Sequence, residues 1–480
     1  MSVKKNFLYN SILTASRYVI PLITYPYVSR VLGVTNIGIC NFIDSIINYF
    51  LLFSMMGIAT VGVREIAATK SDSMKMNQAF TNLVSLNGIF TLLSLVVLLI
   101  ATFTFPELYE HKNLMLVGAM KLIANTCLME WLFTGLEKFR FITIRTLIVR
   151  GLYVIAVFVF VRQADDYPLY FFLTAMMVVV NAVVNLCCVR DYAHFHWNGV
   201  QLKTYLRPIL VIGFYTLLTS MYTTFNVVFL GFISDKDQIG YYGTATKLFA
   251  IIIAIYTAFT TVMLPRMSQL LAEHQTEQFL EMIQKSFRAL LAVSMPMIIL
   301  TCTFSEEIVL IISGSGYEGA YLPTRIVMPL IFVIGYSQIL VIQILMPLKA
   351  DRHILVNSCL GALGGILCNV IITTRFLAIG ASITWVLSEL IVMTAAQYRV
   401  KQAIGFGFPG RELLRNVMSY IPAMIICMII SANIKEHAFM SLLLGGIVIL
   451  LYAVVIQMTY LRNQVVMETI QRFSQKFKRQ

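Results

Sequence analysis

The chain has 480 residues, of which 59% are hydrophobic and only 12% charged, and its 36 Lys and Arg outnumber 23 Asp and Glu. Soluble domains carry about 25% charged residues, so lipid rather than water is the main solvent of this sequence, and the basic excess points to cytoplasmic loops of a membrane protein instead of a nucleic-acid surface. All eight cysteines fall in apolar segments and no CxxC is present, which argues against both a disulfide framework and a zinc centre.

A membrane span needs about 20 apolar residues, and on that ruler the chain holds fourteen segments. The opening MSVKKN leads into the first, 8–30, with no small-residue cleavage motif, and reads as an anchor that stays in the protein. Asn10, Thr14, Arg17, Pro21 and Thr24 are spaced 4, 3, 4 and 3, which puts them on one face of this predicted helix. The second segment, 39–62, carries Asn41, Asp44 and Asn48 in a similar stripe. Segments 79–105, 113–135 (with Lys121), 144–162 and 168–190 follow. The seventh, 208–232, aligns Tyr215, Thr219, Tyr222 and Asn226, and the eighth, 240–264, sets Lys247 among Gly243, Ala250, Ala254 and Thr257. The stretch 268–287 is expected to form an amphipathic helix lying on the cytoplasmic face. Segments 287–312, 323–347, 353–374, 377–399 (with Glu389), 413–434 and 440–461 complete the set, and the closing QRFSQKFKRQ suits anionic headgroups. Backbone groups in hydrocarbon have to be bonded internally, so unbroken apolar runs of this length predict helices.

Alternate connections hold 26 and seven Lys or Arg, with Arg17, Lys121 and Lys247 counted inside helices, and this asymmetry places both termini in the cytoplasm. An internal repeat is also present. NIG at 36–38 and QIG at 238–240 open helices 2 and 8, and Arg64 and Arg266 close them, at one offset of 202. Six helices separate the copies, so they share one orientation in the membrane, the parallel-repeat arrangement of two-lobed transporters. The expected organisation is a lobe at 1–200, a second at 201–400, and two further helices with a basic tail at 401–480.

A charge at the bilayer centre costs about 2.5–3.5 kcal/mol on insertion scales and therefore faces a bundle interior or a wet cavity. Arg17, Lys121 and Lys247 outnumber the embedded acids Asp44 and Glu389, a balance that suits an anionic substrate. Structural ion pairing among these residues is the plain alternative, with Asp44 as the natural partner of a cation. No nucleophile, base and orienting group stand together, and no phosphate-cradling Walker loop occurs. The expectation is a carrier without cofactors, not an enzyme.

At PLITYPYVSRVLGVTNIG (21–38), NFIDSIINYF (41–50) and GIATVGVREIA (57–67) the chain resembles the Wzx-type polysaccharide flippases of the multidrug/oligosaccharidyl-lipid/polysaccharide exporter superfamily. FLGFISDKDQIGYYGTATKL (229–248) and the region 343–389 extend the resemblance over most of the sequence. It implies an all-α polytopic protein of two six-helix lobes around a central cavity, plus two C-terminal helices. It also implies transfer of an undecaprenyl-pyrophosphate-linked oligosaccharide across the bacterial inner membrane, with other glycan assembly proteins as partners. Related lipid II flippases place cavity cations on helices 1 and 8, where Arg17 and Lys247 stand here, Lys replacing the expected Arg. Those two and Lys121 are then the expected pyrophosphate contacts, and Asn48, Tyr222 and Asn226 the expected sugar contacts. A cation-coupled multidrug antiporter of the same superfamily and a membrane glycan polymerase or ligase are the competing readings.

Overall fold

In the computed structural model, which describes residues 3–197, 200–434 and 437–468, the first helix, α1 (Val3–Met55), is 53 residues long. At 1.5 Å per residue that is about 80 Å, more than twice the hydrocarbon thickness, so it contains both the first span and most of the second. Gly33 divides them, with φ 76 and ψ 170, a conformation that a side chain disfavours. The expected connection between 30 and 39 is thus a kink and not a loop, while Pro21 and Pro26 sit inside the helix without ending it.

The chain divides into two compact units, Met1–Gly240 and Tyr241–Gln480. In the first unit α1 is followed by α2 (Ile58–Thr69), α3 (Ser73–Thr104), the single turn α4 (Pro106–Tyr109), α5 (Lys112–Leu128), α6 (Glu130–Gly135), α7 (Phe139–Phe160), α8 (Tyr167–Val189), α9 (Leu202–Thr223) and α10 (Phe225–Ile233). Helix α1 is the spine, packed by α3, α5, α7, α9 and α10, and α5 lies along α8. Helix α3 starts sharply because the Asp72 carboxylate accepts the backbone N–H groups of Met74 (3.1 Å) and Lys75 (3.2 Å). These bonds hold the Asp72 carboxyl below its usual range. Ile58, Val61, Ile66, Phe80, Leu83, Trp131 and Phe133 form a fully packed core where α2, α3 and α6 meet.

Helix α11 (Lys236–Ala272) begins in the first unit and continues into the second, which adds α12 (Thr276–Thr303), α13 (Ser305–Ser313), α14 (Tyr321–Val327), α15 (Leu330–Gln338), α16 (Asp351–Cys368), α17 (Thr374–Ile404), α18 (Gly410–Asn433) and α19 (Ala438–Thr459). Two π-helical stretches, Ile339–Leu345 and Asn369–Thr373, loosen the ladder around α16. The expected surface helix at 268–287 is absent as a separate element. A turn at His274 (φ 56) splits that stretch between α11 and α12, and its apolar stripe, Phe279, Ile283 and Phe287, is buried in the unit.

Among the described residues ten helical runs are long and apolar enough to cross a membrane, or eleven with the pair α9–α10, which bends by 52°. The difference from fourteen has identifiable sources. Two runs, Leu8–Thr69 and Asp351–Ile404, are 62 and 54 residues long and each covers two expected segments, while the expected 240–264 lies in α11, outside the ten. A multi-pass helical membrane protein is the result; a count of fourteen is not established by it. The basic tail at 471–480 lies outside the described residues.

The repeat has a physical trace within the first unit. The Thr35 hydroxyl donates to Asp237 Oδ1 at 2.5 Å, across a sequence separation of 202. A Cβ built on Gly38 would run into the Lys236 carbonyl, and one built on Gly240 would lie 2.5 Å from the Val34 carbonyl oxygen. The start of α11 therefore lies against the Gly33–Gly38 stretch of α1 within this unit. Only glycine allows so close a backbone approach.

Candidate substrate site

Arg17 projects from the middle of the first span and is exposed, as are Asn10, Thr14 and Pro21 on the same face. Thr24, at the end of the predicted stripe, is buried, and its hydroxyl donates to the Ile20 carbonyl at 3.1 Å within its own helix. Among the described residues Arg17 makes no ion pair, and a second cation, Arg150 of α7, lies within electrostatic range of it. Arg150 is tied to α1 through the Leu13 carbonyl (3.3 Å) and the Ser16 hydroxyl. One turn earlier, the buried Arg145 guanidinium donates to Glu130 Oε1 at 2.8 Å and to the Asn185 side-chain oxygen. Asn185 in turn donates to the Leu128 carbonyl, which the break at Met129 (φ 42) frees from the helix ladder. A guanidinium gathering this many acceptors is a fixed post, whereas Arg17 remains open to a ligand.

Asp44 does not pair with Arg17. Lys121 of α5 lies 2.5 Å from Asp44 Oδ1, and the Asn48 amide donates to Oδ2 at 3.1 Å. Lys121 is the more enclosed partner, with its side chain 13% exposed against 40% for Asp44. Tyr222 and Asn226 are both buried, on either side of the bend at Thr224, where the Tyr49 hydroxyl donates to the Ser220 carbonyl at 2.9 Å. In the second unit Lys247 is half-buried on α11. Glu389 is buried on α17, and the Trp385 indole donates to its Oε1 at 3.4 Å.

The structure therefore joins Asp44, Asn48 and Lys121 into one cluster and sets Arg17 beside Arg150. A charge count that keeps only Arg17, Lys121 and Lys247 inside helices assigns Arg145 and Arg150 to a cytoplasmic connection, although both lie inside the 144–162 apolar segment. Helix α7 starts at Phe139, which carries these arginines into the span and against α1. Their position inside an otherwise apolar run was the available signal.

Residues 3–271, more than half of the chain, match the family described as polysaccharide biosynthesis protein. The chain belongs to that family. A curated relative named "Putative O-antigen transporter" from Escherichia coli (strain K12) is 26% identical over 398 residues, covering 82% of this chain and 95% of the relative. A protein of the same name from Shigella dysenteriae is 23% identical over 280 residues, covering 56% of this chain and 68% of its own length. Among solved structures, the lipid II flippase MurJ in an inward closed conformation superposes with a TM-score of 0.74 at 14% identity, over 94% of this chain and 99% of MurJ. An inward-facing multidrug resistance MATE transporter of the MOP superfamily gives 0.59 at 10% identity, over 80% of this chain and 94% of that one. At such identities these likenesses establish the fold alone.

Proposed function

We propose that this protein is a flippase of the bacterial inner membrane, moving an undecaprenyl-pyrophosphate-linked oligosaccharide from the cytoplasmic to the outer leaflet by alternating access. The observation that carries this reading is Arg17, without an ion pair among the described residues, in the middle of an apolar span and within electrostatic range of Arg150, in a chain whose family and curated relatives concern polysaccharide assembly and O-antigen transport. Arginine matches phosphate oxygens bidentately, and a diphosphate is the anionic group of such a lipid. Lys247 serves as a second contact. Lys121 joins only by exchanging Asp44 for phosphate, because its ammonium is already engaged. Asn48, Tyr222, Asn226 and the exposed Asn10 and Thr14 supply hydrogen bonds to sugar hydroxyls, and Glu389 a buried carboxyl for coupling. Both termini lie in the cytoplasm, where other glycan assembly proteins deliver the lipid-linked unit, and no covalent chemistry is performed on it.

Arg17→Ala and Lys247→Ala are each expected to abolish surface glycan while membrane levels of the protein stay unchanged on immunoblots. Depletion of the protein should then leave a lipid-linked oligosaccharide in the cytoplasmic leaflet, and its mass identifies the sugar. Normal glycan in both variants overturns the phosphate role. The multidrug reading predicts instead that a sensitised host loses drug resistance on depletion; an excess of cations over acids within the spans disfavours cationic drugs.

A further inference from the structure

On the flank of the first unit, α7 and α8 border a cavity of about 880 Å³ that Arg145 lines but Arg17 and Arg150 do not. Its walls are Ile144, Ile148, Leu152, Val180 and Val184, and the first four of these side chains are between 36% and 59% exposed. In a membrane-spanning unit an exposed apolar stripe of this kind meets lipid. One end is different: Lys138 and Arg140, both exposed, line it, beside the Lys70–Glu137 ion pair at 2.7 Å. Two buried polar atoms also lack any hydrogen-bond partner here, Arg145 Nε and Asn6 Oδ1, and both residues line the cavity. Arg145 is only 6% exposed, so its unused N–H is a donor that water reaches poorly and that a ligand acceptor would satisfy.

We propose that this groove is a binding site for one anionic phospholipid of the cytoplasmic leaflet. The phosphate meets Lys138 and Arg140, an ester carbonyl accepts from Arg145 Nε, and an acyl chain lies along Ile148 and Leu152. The spacing fits a diacyl phospholipid. Arg140 to Arg145 is five residues, about 7.5 Å of helix rise, which is the step from headgroup phosphate to the ester level; Arg140 to Leu152 is about 18 Å, close to the depth of one leaflet. Charge complementarity selects an anionic headgroup over a zwitterionic one. None of Arg17, Lys121 and Lys247 lines this groove, and the proposal does not rest on the flippase reading.

The test is native mass spectrometry of the full-length protein, extracted from membranes and offered phosphatidylglycerol or phosphatidylcholine of matched chains. The wild type is expected to retain one phosphatidylglycerol at concentrations where phosphatidylcholine is lost. Lys138→Ala combined with Arg140→Ala should weaken that retention by about tenfold, the loss of a charge-assisted contact, while Ile148→Trp should displace the acyl chain with the cations intact. Arg140→Lys, which keeps the charge, should retain most of the binding and shows that the protein is folded. Equal retention of both lipids, or undiminished retention in the double variant, overturns the proposal. Displacement of phosphatidylglycerol by millimolar inorganic phosphate overturns it as well, since the site would then read a free anion.

Discussion

Arg17 and Lys121 are both cations in apolar helices, yet their surroundings assign them different work. Insertion of such a charge costs about 2.5–3.5 kcal/mol, and Lys121 offsets this with Asp44 at 2.5 Å. Removing one member of an enclosed pair leaves the other without compensation, a larger penalty than removing both. Lys121→Met and Asp44→Asn are each expected to destabilise the detergent-solubilised protein by about 1–3 kcal/mol, with the double variant less damaged than the sum. Thermal unfolding of the four proteins measures this coupling; strict additivity shows that the pair is incidental. Arg17 has no such partner among the described residues, so Arg17→Ala should leave thermal stability nearly unchanged while transport is lost. That separation of stability from function is what distinguishes a ligand contact from a structural charge.

The helical elements were read from hydropathy with good fidelity of place and poor fidelity of division. Apolar length reports where a chain can sit in lipid, but a kinked rod and two helices joined by a loop share one hydropathy profile. This is why Leu8–Thr69 and Asp351–Ile404 appear as continuous runs. Arg145 and Arg150 are hidden for a different reason: they lie near the end of the 144–162 segment, where a charge is counted with the adjoining loop whether or not the helix continues. Gly38 and Gly240, the glycines of the two matching signatures, both stand where α1 and α11 approach closely, backbone to backbone. That approach offers a handle on motion. In a chain with its eight cysteines replaced, Thr35→Cys with Asp237→Cys should form a disulfide under mild oxidant, since the side chains they replace are in hydrogen-bond contact. The charge count assigns the Gly33 bend of α1 to the outer face, so the cross-link should stop glycan export and a reductant should restore it. Full transport by the oxidised pair would show that these segments do not separate during the cycle.

For the molecule as a whole, the direction of export follows from charge and membrane potential. The candidate site was legible in sequence as a set of embedded cations, but not as an arrangement: which cation meets Asp44 depends on α5 packing against α1, and no local pattern encodes that choice. A carrier of an anion works with an inside-negative potential when it exports. For a lipid diphosphate of about two charges, at about 2.3 kcal/mol per charge per 100 mV, the gain is about 4.6 kcal/mol per 100 mV if both charges cross the full field. The site cations that accompany the diphosphate reduce this figure and leave the sign intact so long as they do not neutralise it fully. In proteoliposomes carrying a fluorescent lipid-linked oligosaccharide, a potential negative on the cytoplasmic side should speed movement to the opposite leaflet, and its reversal should slow it. Arg17→Ala should show little of either effect because the anion no longer loads. A rate indifferent to potential in the wild type would mean that the loaded carrier crosses as a neutral unit, with Arg17, Lys247 and their neighbours cancelling the diphosphate, and would shift the search for a driving force to an ion exchanged in return.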